Sequence, residues 1–211
     1  MTAEQVGRLR SLPTHTPPVQ QPARRDSPFT NGYLMNLKEH IRSVPDFPQP
    51  GIMFRDITPL LKSASAMKHV TQELARPFRD SGVTAVLAAE ARGFVFGAPL
   101  AMELGAAFVP VRKPGKLPFA TESFQYDLEY GTDTLEIHRD AIDAGERVIL
   151  IDDLLATGGT MEACLRLAER QKAEIVGLAF VIELAFLKGA ERLQPYPLHR
   201  LISYQTEDAD E

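Results

Sequence analysis

The stretch Val148-Ile149-Leu150-Ile151-Asp152-Asp153-Leu154-Leu155-Ala156-Thr157-Gly158-Gly159-Thr160 decides the fold. Its first four residues are aliphatic and make a short buried strand. Two adjacent carboxylates, Asp152 and Asp153, follow where that strand is expected to end. A turn of small residues comes next, then an apolar stripe at helical spacing: Met161, Cys164, Leu165 and Ala168. Strand, turn and helix in this order place ligands at the carboxyl edge of an open α/β sheet. The turn Ala156, Thr157, Gly158, Gly159 and Thr160 offers backbone N–H groups, two hydroxyls and a helix N-terminus to an anion. The aspartates can accept hydrogen bonds from sugar hydroxyls. The segment therefore reads as a seat for a phosphate beside a ribose. A nucleotide triphosphatase also ends an apolar strand in Asp, but it needs Gly-x-x-x-x-Gly-Lys-Ser/Thr. Here Gly115-Lys116 is followed by Leu117, and no Gly-x-Gly-x-x-Gly occurs.

Working outward, apolar runs predict further strands at 84–89, 107–111 and 175–182, with 147–151 between them. Leu37, Ile41 and Val44 suggest a short helix ended by Pro45. Residues 45–51 are too rich in proline for either regular state and form a fixed loop. Helices are expected at 64–80, strained in its last turn by Pro77, and at 97–104, capped by Gly105. Glu90 to Gly93 reads as a turn. The fold class is α/β: a mainly parallel twisted sheet flanked by helices. Phe124, Tyr126, Leu128 and Tyr130 alternate with polar residues, which predicts a strand or hairpin turning at Gly131. Such an excursion at a ligand edge suits a lid.

The composition, 44% hydrophobic and 24% charged, is that of a globular chain of 211 residues. A net charge of -5 argues against non-specific nucleic-acid binding, and no apolar run approaches a membrane span. The lone Cys164 fits a reducing compartment and a core position on its helix. The five histidines show no metal-ligand spacing. The first 34 residues hold five prolines and few large apolar side chains, so a disordered tail is expected there. The tail lacks the apolar stretch of a signal peptide, and Met35 is an alternative start. Residues 35–211 are expected to be one domain.

Two other strand ends bring cations to the same edge. Arg92 follows strand 84–89, where it can grip a phosphate through two N–H groups; pairing with a surface acid explains it equally well. Arg112, Lys113 and Lys116 follow strand 107–111 and suit a polyanion, although a solvated basic loop is the usual fate of such a run. Convergence of both groups on the phosphate turn favours a substrate anionic at both ends. Glu129 in the hairpin is either a functional carboxyl or the wet face of an edge strand.

The segment Val148 to Thr160 resembles the phosphoribosyl-diphosphate (PRPP) motif of type I phosphoribosyltransferases. The blocks Pro45-Asp46-Phe47-Pro48-Gln49-Pro50-Gly51-Ile52-Met53-Phe54-Arg55-Asp56, Glu90 to Gly97, Val111 to Pro118 and Leu128-Glu129-Tyr130-Gly131 narrow the resemblance to the adenine-using branch. It implies a small hood over about 37–60 and a flexible lid over about 112–131. It implies that adenine and PRPP give AMP and diphosphate, with Mg²⁺ bound mainly through PRPP, in a cytoplasmic homodimer serving purine salvage. It implies the 5′-phosphate on Ala156 to Thr160, the ribose on Asp152 and Asp153, and diphosphate on Arg92, Lys113 and Lys116. Arg112 would reach the neighbouring subunit's site. Adenine would lie between Phe54 and Leu154, its edge read by the backbone of Met53 and Arg55, with Glu129 handing a proton to the ring. A hypoxanthine/guanine or xanthine enzyme is the alternative within the family. A PRPP-sensing regulator would need a DNA-binding domain, for which the proline-rich first 34 residues offer no room.

Overall fold

The apolar run from Val148 is the middle strand of a five-stranded parallel sheet. The computed structural model describes residues 35–127 and 131–207, so the expected tail and Glu129 lie outside the described residues. In chain order the elements are β1 (Arg42–Val44), β2 (Phe54–Asp56), α1 (Thr58–Lys62), α2 (Ala64–Ala75), β3 (Ala85–Ala89), α3 (Arg92–Leu104) and β4 (Ala107–Val111). Then come β5 (Thr121–Asp127), β6 (Thr132–His138), β7 (Arg147–Leu155), α4 (Gly159–Arg170), β8 (Glu174–Leu184), α5 (Gly189–Arg192) and β9 (Leu198–Tyr204). The main sheet has the order β4-β3-β7-β8-β9. Pairs β1–β2 and β5–β6 form separate antiparallel hairpins.

Alternate residues of the middle strands feed two cores, as a sheet covered on both faces requires. Val86, Ala88, Ile149 and Ile151 pack with Val70 and Leu74 of α2 and Phe96 and Leu100 of α3. Leu87, Val148 and Leu150 pack on the other face with Met161, Cys164, Leu165 and Ala168 of α4 and Leu135 and Ile137 of β6. The predicted stripe on α4 is thus the buried one, and burial pushes the Cys164 thiol up, away from reactivity.

Four local expectations change. Residues 37–44 are a 3₁₀ turn (Leu37–His40) and then β1, because Ser43 and Val44 pair with Arg55 and Phe54 across the proline loop. The predicted helix 64–80 stops at Ala75, and Arg76–Phe78 tightens into a 3₁₀ turn around Pro77. The helix expected from 97 begins at Arg92. Gly93, expected in a turn, and Gly97 are points of close contact in that helix: a Cβ on Gly93 would lie 2.9 Å from Asp152 Oδ1, and one on Gly97 would lie 2.8 Å from the Ala88 Cβ. Finally, β7 does not end at Ile151. It pairs with β3 only as far as Ile151, but with β8 through Leu155, so the carboxylates sit on a strand extended past its neighbour.

Candidate functional site

That unequal pairing opens the site. Beyond Ile151 one flank of β7 has lost its partner strand, and a cleft of about 220 Å³ begins there. It is lined by Arg92, the run from Asp152 to Met161, and Phe180. The first turn of α4 forms one wall. Its N-cap is Gly158, at φ +85°, which a side chain would adopt only under strain. Gly158 has no side chain to cap the helix, and the first-turn N–H groups have no partner within it. An anion at this turn meets both those donors and the positive end of the helix.

The turn is held from behind. A Cβ on Gly158 would lie 2.8 Å from the Gly189 carbonyl oxygen, and a Cβ on Gly189 would lie 2.1 Å from the Ala156 carbonyl oxygen. Two glycines, 31 positions apart, therefore let the start of α5 press backbone to backbone against the turn. No spacing rule signals Gly189; only the fold brings it there.

Asp153 is buried, with 2% of its surface exposed. Its Oδ2 lies 3.0 Å from Arg92 Nε, yet it accepts no directed hydrogen bond among the described residues. The contact is charge attraction, and Asp153 also lines the cleft. Asp152 Oδ1 accepts from the Asp153 N–H at 2.9 Å. Burial pushes the Asp152 carboxyl well above the usual carboxylate range, and the adjacent Asp153 pushes it further. Burial also raises Asp153, with Arg92 pulling the other way.

Arg92, at the start of α3, joins the cleft to the hood: its guanidinium stands 5.5 Å from the centre of the Phe54 ring. Phe47 meets that ring edge-on at 5.0 Å. The Met53 N–H points at the Glu207 carboxylate, 3.5 Å away. Arg55 turns its side chain inward, over the Tyr204 ring at 3.9 Å and onto the Ser43 hydroxyl at 2.5 Å. Leu154 lines the cleft beside the carboxylates.

The other cations stand apart from the cleft lining. Arg112 donates to Glu90 at 2.6 Å and to the Lys116 carbonyl at 3.1 Å. Glu90 also accepts from the Lys113 N–H at 3.1 Å. Burial works against the Glu90 charge, but these donors outweigh it and hold its carboxyl below the ordinary range. Glu90, read from sequence as part of a turn and of the block Glu90 to Gly97 but given no site role, anchors the basic loop. Lys113 forms an ion pair with Asp133 of β6. Among the described residues no three carboxylate, imidazole or thiol groups gather into a metal cage.

Residues 56–203 match the model of the phosphoribosyl transferase domain. The adenine phosphoribosyltransferase of Rhodopirellula baltica is 57% identical over 177 residues, covering 84% of this chain and 86% of that one. The chain belongs to the adenine phosphoribosyltransferase family. Solved members of the family share the architecture as well as the sequence. The enzyme from Thermoanaerobacter pseudethanolicus is 50% identical with a TM-score of 0.77, over 80% of this chain and 98% of that one. The Saccharomyces cerevisiae enzyme is 39% identical with a TM-score of 0.75, over 78% and 96%, and was crystallised with adenine and an iminoaltritol bisphosphate. Of the residues expected to serve such a site, Arg92, Asp152, Asp153, Leu154 and the turn 156–160 line one cleft, and Phe54 joins them through Arg92.

Proposed function

We propose that this site transfers the phosphoribosyl group of PRPP to adenine, giving AMP and diphosphate in purine salvage. One observation carries the reading: an uncapped helix N-terminus, a buried carboxylate with a free acceptor and a half-exposed arginine all border a single cleft. In this assignment the 5′-phosphate takes the N–H groups and hydroxyls of Ala156 to Thr160. The ribose hydroxyls donate to Asp153 and Asp152. Arg92 takes the diphosphate, with Lys113 and Lys116 swinging in from the basic loop and Arg112 serving at the subunit boundary. Adenine stacks on Phe54, with Leu154 on its other side and the backbone of Met53 and Arg55 at its edge.

Cleavage at C1 spreads positive charge over the ribose ring and negative charge over the leaving diphosphate. In this assignment the two aspartates face the sugar and Arg92 faces the departing anion; both stabilise charge that grows only in the transition state. Holding the remote phosphate fixes the sugar in line. Mg²⁺ would be held mainly through PRPP rather than by a set of protein ligands. When bound, it neutralises the leaving group. Glu129 is proposed to hand a proton to the purine N7 as N9 releases its own proton to solvent and bonds to C1, and to take the N7 proton back once AMP has formed. Glu129→Gln should slow the chemical step in single-turnover experiments by roughly 10²-fold or more; an unchanged rate would remove it from that role.

A homodimer is proposed with α3 in the contact, since Val95 and Met102, two turns apart on that helix, are 37% and 84% exposed. No described helix is long and apolar enough to cross a membrane. A cytoplasmic setting follows from the substrates, which are intracellular metabolites. Purified full-length protein with Mg²⁺ and PRPP should turn over adenine far faster than hypoxanthine, because a 6-oxo purine reverses the donor–acceptor pattern at the buried edge. Faster turnover of hypoxanthine, guanine or xanthine would favour the alternative base specificity.

A further inference from the structure

The basic loop does not wait with its charges free. Lys113 is paired with Asp133, a residue of β6 that lies 20 positions away. The two side chains are 45% and 21% exposed, so the pair is only partly screened by water. The same carboxylate oxygen accepts from the Tyr126 hydroxyl at 3.3 Å, and that hydroxyl lies 3.5 Å from Thr160 Oγ1 in the anion turn. Asp133 thus stands between the cation of the loop and the phosphate end of the cleft. The other carboxylate oxygen accepts from the Thr134 N–H at 2.8 Å, which fixes the group on its strand while the longer lysine can swing.

We propose that Asp133 is a positioning residue that holds Lys113 as a stand-in for the anionic ligand, releasing it to diphosphate and taking it back when diphosphate leaves. This rests on the proposed reading of the cleft. No bond is made or broken; one carboxylate is exchanged for a phosphoryl oxygen at the lysine ammonium. The exchange keeps Lys113 turned toward the hairpin when the site is empty and opposes over-tight retention of product. A purely structural Asp133 would lower affinity when removed. A competing Asp133 raises it.

The experiment is titration of inorganic diphosphate with Mg²⁺ into the full chain, by calorimetry, for the native protein, Asp133→Asn, Lys113→Gln and the double variant. Asp133→Asn should bind diphosphate about two- to fivefold more tightly, the scale of a partly exposed ion pair. In the Lys113→Gln background the same change should have no effect. Equal or weaker binding by Asp133→Asn would overturn the proposal, as would a gain that persists without Lys113. Absence of any diphosphate binding by the native protein would instead overturn the reading of the cleft itself.

Discussion

Asp152 is a residue kept against its own contribution to stability. Its carboxyl is raised above the ordinary value of 3.8 by burial and by Asp153. A raised acid binds its proton more tightly folded than unfolded. Folded stability is therefore greatest below the unfolded value and falls as pH rises through the raised folded value. Between those two values each rise in pH costs the native protein stability. Asp152→Asn keeps the acceptor for the Asp153 N–H and removes the charge. Ligand-free Asp152→Asn should unfold at higher denaturant than the native protein at neutral pH, and the difference should close as pH falls toward 3.8. A gap independent of pH would show that the charge is not the cause. The gain should come with weaker PRPP binding, the usual exchange at a functional site.

Among elements, the turn before α4 and the start of α5 work as one unit. Gly189→Ala would drive a Cβ to 2.1 Å from the Ala156 carbonyl oxygen, where backbone cannot yield without moving the turn. The KM for PRPP should rise on the order of tenfold or more, because small displacements of a positioning loop are expensive in rate and affinity. The KM for adenine should stay nearly constant, since the hood is built on other elements. Initial-rate kinetics with each substrate varied would separate the two, and an equal rise in both would point to general damage. The elements were unevenly legible before the structure. β3, β4, β7 and β8 announce themselves by apolar runs, because a sheet covered on both faces leaves little polar alternation. β9 carries His199 and Arg200 at the sheet edge, which breaks its run and hides it. β1 hides because its partner arrives across a proline loop, and local periodicity says nothing about pairing at that distance.

At the scale of the whole molecule, the site's chemistry was readable where the chain concentrates it and invisible where the fold assembles it. Asp152 to Thr160 lie in one stretch, so their joint purpose shows in sequence. Arg92 was only one option among two until β3 and β7 brought it to Asp153. Glu90, Asp133 and Gly189 gave no signal, because each acts on a partner between 20 and 33 positions away. The central claim is that one sheet edge seats the phosphate, the ribose and the base together. A crystal structure of the full chain with AMP tests this most directly. The phosphate oxygens should lie about 3 Å from the N–H groups of the turn 156–160, with the ribose hydroxyls on Asp152 or Asp153 and the adenine ring against Phe54. A nucleotide with its phosphate on the basic loop 112–116, or with its base away from Phe54, would contradict the account.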